Sequence, residues 1–148
     1  MIRGGCLCGA VRYEFEGPVE EAHHCHCSRC RKFHGAAFGT YARADAASLR
    51  VVGGDGRLKA YRSSAPVRRS FCGECGSSLF FAHDAAPRFV WVAAGTIDEG
   101  EGEAKPDAHT YATSKAGWWQ IEDGLPRHEG HRPEYVRPIR AGAGPRPR

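Results

Sequence analysis

Apolar and polar residues alternate from Val11 to Glu16, with Val11, Tyr13 and Phe15 in one register and Arg12, Glu14 and Glu16 in the other. A period of two predicts a strand with one buried face, and Gly17-Pro18 ends it. Residues 1–8 read as a Gly-rich lead. The period then changes: residues 28–33 predict a single turn of helix with Ser28 as its cap, and residues 35–41 return to a strand. Short apolar runs at residues 49–52 and 58–61 flank Gly53-Gly54-Asp55-Gly56, which predicts a hairpin. Residues 67–71 and 79–82 predict two more strands. Residues 88–94 hold Phe89, Val90, Trp91 and Val92 in succession, the pattern of a strand covered on both faces. Residues 95–106 are polar and Gly-rich and predict a loop. Residues 109–111 predict a last strand, and residues 118–121, with Trp118, Trp119 and Ile121, a buried anchor. Phe80, Phe81, Phe89, Trp91, Trp118 and Trp119 are expected in the core.

The chain has 148 residues, and that length predicts one domain. We place it at residues 1–138, followed by a disordered basic tail at 139–148 that is rich in Gly, Pro and Arg. Nineteen glycines and nine prolines favour turns and short strands, so the fold class is mainly β with few short helices. No secretory leader pattern follows Met1 and no long apolar run exists, so a cytoplasmic location and no membrane contact are expected. In a reducing compartment, close cysteine pairs point to metal ligands rather than disulfides. The formal charge of +4 suggests a nucleic-acid partner. However, seven thiolates and two divalent ions together subtract three charges, leaving about +1, so nucleic-acid binding is not expected.

The seven cysteines fall in three groups: Cys6 and Cys8; Cys25, Cys27 and Cys30; Cys72 and Cys75. Sulfurs around a tetrahedral zinc lie about 3.8 Å apart. Cys6-x-Cys8 at a strand edge can reach that separation. Cys72-x-x-Cys75-Gly76 has knuckle spacing, with a glycine for the tight turn. Together the two pairs make a closed four-thiolate site, hence a structural one. Cys25, Cys27 and Cys30 supply three ligands. That set either leaves an open position, the pattern of a catalytic zinc, or is closed by His23, His24, His26 or His34. An open three-thiolate zinc is a weak Lewis acid, better suited to holding a substrate thiol as thiolate than to making hydroxide. Arg29, Arg31 and Lys32 could offset its excess negative charge. His26 and His109 are candidate proton donors. Patterns for nucleophilic serine, phosphate-binding loop, dinucleotide-binding or zinc-protease chemistry are absent from the sequence.

Gly4-Gly5-Cys6-Leu7-Cys8-Gly9, Cys25-His26-Cys27-Ser28-Arg29-Cys30, Gly35-Ala36-Ala37-Phe38 and Phe71-Cys72-Gly73-Glu74-Cys75-Gly76 follow in order. Further on come Gly95-Thr96-Ile97-Asp98, His109, Lys115, Trp118 and Asp123-Gly124-Leu125-Pro126. This ordered set resembles the glutathione-dependent formaldehyde-activating enzyme (Gfa, or centromere-protein-V-like) family over residues 4–126. The resemblance implies a β-tent-like fold of several small coiled antiparallel sheets with a zinc-stapled core. It implies two zinc ions, a structural one on Cys6, Cys8, Cys72 and Cys75 and one on Cys25, Cys27 and Cys30 at the active site; having only three protein ligands, the second is expected to be the more readily lost. It also implies carbon–sulfur lyase chemistry, with glutathione or a related thiol added to formaldehyde or another small aldehyde. The alternative is a non-catalytic, zinc-stabilised binding module of the same fold.

Overall fold

The computed structural model describes residues 1–132; the basic tail expected at 139–148 lies outside them. The strands are β1 (Ile2–Gly5), β2 (Arg12–Phe15), β3 (Glu21–Cys25), β4 (Gly39–Asp45), β5 (Arg50–Gly53) and β6 (Leu58–Ser64). They continue with β7 (Val67–Cys72), β8 (Ser78–His83), β9 (Phe89–Ala93), β10 (Ile97–Glu99) and β11 (His109–Thr110). One α-helix, α1 (Ser28–His34), leaves β3. The described residues thus form a mainly β protein with two sheets, ordered β10-β1-β2-β5 and β11-β3-β4-β9-β8-β7-β6. All pairings are antiparallel except β3 with β11.

The strand period of two divides the larger sheet into two faces. Ala42 and Ala44 of β4, Val90 and Val92 of β9 and Phe80 of β8 join Ile2, Tyr13 and Phe15 of the smaller sheet in one buried cluster. Tyr41, Trp91 and Ala93 face the other way and pack with Cys25, Cys30 and Phe81. Fully burying a side chain the size of Ile2, Phe15 or Val92 contributes about 1.5–3 kcal/mol. The β9 run is covered on both faces as its composition predicts, because Val90 and Val92 pack into one cluster and Trp91 and Ala93 into the other.

Several local expectations fail for non-local reasons. The apolar runs at 49–52 and 58–61 do form strands but not a hairpin: β5 pairs with β2, and β6 with β7. The intervening segment is a short 3-10 helix (Asp55–Arg57), which carries the chain from one sheet to the other. Ile2–Gly5 is a strand rather than a lead, and residues 95–106 contain β10, because these two segments complete each other. Glu21–Cys25 pairs with β4 despite its polar composition. The helix cap is Cys27, whose sulfur accepts the Cys30 amide, and not Ser28. Trp118 is 74% exposed and Trp119 37%, so the expected anchor reduces to Ile121.

Candidate metal centres and the histidine cleft

The two sheets meet at the first cysteine group. Cys6 and Cys8 lie in a turn just past β1, rather than on a strand edge, and Cys72 ends β7. Both turns close on a glycine in the left-handed region, Gly9 (φ 74°) and Gly76 (φ 75°), a conformation that disfavours a side chain. The sulfurs of Cys6 and Cys8 lie 3.5 Å apart, and those of Cys8 and Cys72 3.9 Å. With Cys75, all four fall within 4.8 Å of one another. The Val11 amide donates to the Cys6 sulfur. The Ser77 hydroxyl contacts the Cys75 sulfur and accepts the Leu7 amide, joining the two turns directly. Four sulfurs at these separations could hold one metal ion.

The second group forms where β3 runs into α1. Cys25 ends the strand, Cys27 caps the helix and Cys30 sits in its first turn, with the three sulfurs within 4.8 Å. Among the described residues no histidine, aspartate or glutamate joins this group. Cys27 accepts hydrogen bonds from Cys25 and Cys30, which push its pKa well down. Cys25 is pushed up by its bonds to Cys27 and Cys30 and by burial. For Cys30 the bond to Cys25 acts downward, but the bond to Cys27 and burial outweigh it and hold the thiol at about 11.

A basic side chain does touch this group, but it is not one that the local sequence suggests. Arg69 of β7 donates from Nη2 to the Cys30 sulfur at 3.6 Å and from Nη1 to the Tyr41 hydroxyl at 3.1 Å. Tyr41 in turn contacts His34 Nε2 at 2.7 Å. Burial and then the charge of Arg69 lower the His34 pKa to about 4, keeping it neutral. Arg29, Arg31 and Lys32 make no such contact with the sulfurs; Arg31 donates to the His26 carbonyl instead.

Alternation along β3 places His24 and His26 on the face opposite His23 and Cys25. There, His26 Nε2 lies 2.8 Å from His109 Nδ1, and His109 Nε2 lies 2.9 Å from the Asp123 carboxylate. His109 reaches this position because β11 pairs in parallel with β3, in register with His24. The hydrogen bond from His109 lowers the Asp123 pKa. Burial, followed by the neighbouring His109, lowers that of His26 to about 4. His26 is fully buried, and its Nδ1 has no hydrogen-bond partner. His109 and Asp123 line a cleft of about 450 Å³ with Phe38, Trp118, Trp119 and Ile121. Sequence reasoning noted His26 and His109 singly. It missed Asp123, Arg69, Tyr41 and His34 as members of these networks, since no spacing rule connects them.

On the cysteine side, burial and then the charge of Arg132 lower the His23 pKa to about 3, from an ordinary 6.5. The folded state therefore resists a proton that the unfolded chain accepts. The resulting stability is complete above pH 6.5 and declines as the pH falls toward 3, by a few kcal/mol in all. His23→Gln is expected to flatten the stability profile between pH 4 and 7 in urea titrations. Parallel wild-type and variant profiles would show that His23 is not responsible.

Fold and centres define a two-sheet β protein with two cysteine groups, each able to hold a metal ion. The sequence profile described as glutathione-dependent formaldehyde-activating enzyme matches residues 1–114, and the chain belongs to that family. A protein of Halomonas elongata named putative glutathione-dependent formaldehyde-activating enzyme is 32% identical over 131 residues, covering 82% of each chain. An uncharacterized lyase of Schizosaccharomyces pombe is 29% identical over 134 residues, covering 81% of this chain and 91% of the relative. The crystal structure of a Rhodobacter sphaeroides protein superposes with a TM-score of 0.57 at 32% identity, covering 66% of this chain and 88% of the other.

Proposed function

We propose that this protein is a zinc enzyme of carbon–sulfur bond chemistry that joins glutathione or a related small thiol to formaldehyde or another small aldehyde. The observation that carries this reading is the contrast between the two cysteine groups: four ligands in one and three in the other. Separations of 3.5 and 3.9 Å in the first bracket the spacing of about 3.8 Å that tetrahedral zinc requires. In this reading Cys6, Cys8, Cys72 and Cys75 hold a structural ion, and Cys25, Cys27 and Cys30 a catalytic one. Zinc at the second site would keep a substrate thiol ionised while leaving its sulfur nucleophilic. The names of the relatives, which speak of formaldehyde activation and of a lyase, support the substrate class and the reaction.

The thiol sulfur adds to the aldehyde carbon, and the proton that the thiol loses ends on the aldehyde oxygen. His109 and Asp123, which line the cleft, are the chain's candidates for handling that proton. Asp123 accepts from His109 Nε2, which fixes the His109 proton there and leaves Nδ1 to accept from His26 Nε2–H. His26 Nδ1 is then a buried lone pair without a partner, and burial keeps the ring neutral.

The test is exchange NMR of glutathione and formaldehyde with catalytic amounts of zinc-loaded protein. Adduct formation should be accelerated by the wild type. Asp123→Asn should lower that rate by about tenfold or more at unchanged metal content. Exchange no faster than with a zinc-free albumin control would reject the enzyme and leave the binding module.

A further inference from the structure

Arg69 poses a problem that the proposed chemistry resolves. Its side chain is 5% exposed, and a buried charge costs several kcal/mol unless it is compensated. Guanidinium groups in such positions pair with carboxylates. Among the described residues no carboxylate lies within 4.0 Å of Arg69; its partners are the Ser63 and Tyr41 hydroxyls, which are neutral, and the Cys30 sulfur. The faces of Phe33 and Phe81 lie 5.3 and 5.6 Å from its guanidinium carbon. The remaining group in contact that can carry a negative charge is the thiolate cluster.

Building on the function proposed above, we propose that Arg69 is the internal counter-ion of the Cys25–Cys27–Cys30 centre and the residue that admits an anionic thiol substrate to it. Three thiolates around a divalent cation carry an excess negative charge, and an incoming thiolate adds another. A fixed guanidinium on the Cys30 sulfur offsets that addition. It also draws electron density from one ligand, so the centre binds a fourth sulfur more tightly. The surrounding groups hold Arg69 in place. Ser63 takes Nε, and Tyr41, itself hydrogen-bonded to neutral His34, takes Nη1, which leaves Nη2 aimed at sulfur. Arg69 is thus a positioning residue, acting through Cys30, and its effect should fall on anionic ligands more than on neutral ones.

Cobalt-substituted wild type, Arg69→Met, Arg69→Lys and Tyr41→Phe are titrated with glutathione, an anionic ligand once bound, and with imidazole, a neutral one. The ligand-field and charge-transfer bands report binding, and chelator competition reports metal affinity. Arg69→Met is expected to keep both metal equivalents and its circular dichroism. It should weaken glutathione binding by about 10- to 100-fold, the range for a charged hydrogen bond, with imidazole changed by about twofold or less. Arg69→Lys should recover part of the loss, and Tyr41→Phe should show a smaller loss in the same direction. Should Arg69→Met fail to fold, the latter two variants decide the question. Unchanged glutathione affinity across the variants, or equal losses for imidazole and glutathione, would overturn the role. A wild-type cobalt spectrum that responds to imidazole but to no thiol would instead reject the substrate reading. Chelator competition still tests the counter-ion in that case, because Arg69→Met should then yield metal to chelator more readily than the wild type at the three-cysteine centre, with the four-cysteine centre unchanged.

Discussion

Cys25→Ser is expected to lose one of two bound zinc equivalents, retain its fold and lose at least about a thousandfold in adduct-forming rate, which corresponds to ~4 kcal/mol. The physical reason is the separation of the two centres. Cys25 ends β3 and faces Tyr41 and Trp91, whereas the four-cysteine group joins the turn after β1 to the end of β7. No cysteine belongs to both groups. Serine at position 25 removes a soft sulfur donor from a set that has only three, so the remaining two cannot hold the ion against water. Metal analysis after gel filtration, circular dichroism and the exchange assay check the three parts of this outcome. A variant that keeps both ions, or that loses both while folded, would contradict the division into two sites.

Cys72→Ser should have the opposite profile. Cys72 is fully buried, contacts Cys8 and belongs to the core shared by the two sheets. Its removal opens the four-thiol site that joins the turn around Cys6 and Cys8 to the end of β7. Structural zinc contributes directly to folding, so the expected loss is several kcal/mol. For a chain of this length that lowers Tm by more than about 10 °C. Thermal scans at constant free zinc measure the shift. A Tm within about 2 °C of the wild type would mean that the sheets are held together by their apolar core alone. The comparison with Cys25→Ser matters, because a non-specific effect of losing any cysteine would lower both variants alike.

Both predictions start from groupings that are legible in the one-dimensional chain. Cysteine spacing alone separates the pairs from the triplet, and it does so because ligands two or three residues apart can reach one ion without help from the fold. The strands at Arg12–Phe15, Val67–Cys72, Ser78–His83 and Phe89–Ala93 are legible for a similar reason: alternation or continuous apolarity records which faces are covered. By contrast β1, β3 and β10 are short, polar or Gly-rich, and their stability comes from partners far away in sequence. The apparent hairpin between β5 and β6 fails because the better partners, β2 and β7, lie elsewhere.

The surroundings of the three-cysteine centre follow the same division. Arg29, Arg31 and Lys32 are its neighbours in sequence, yet the cation in contact with sulfur is Arg69, thirty-nine residues beyond Cys30. His26 and His109 are eighty-three positions apart and become partners only through the parallel pairing of β11 with β3. The sequence by itself set apart the cysteine pairs and the triplet, which could hold metal ions, and the β character of the chain, since both rest on spacings within a few residues. Tertiary structure alone decided which charges, hydroxyls and imidazoles surround those ligands. Electrostatic and hydrogen-bond partners are chosen by distance in space, and in an antiparallel sheet protein that distance is set by strand order.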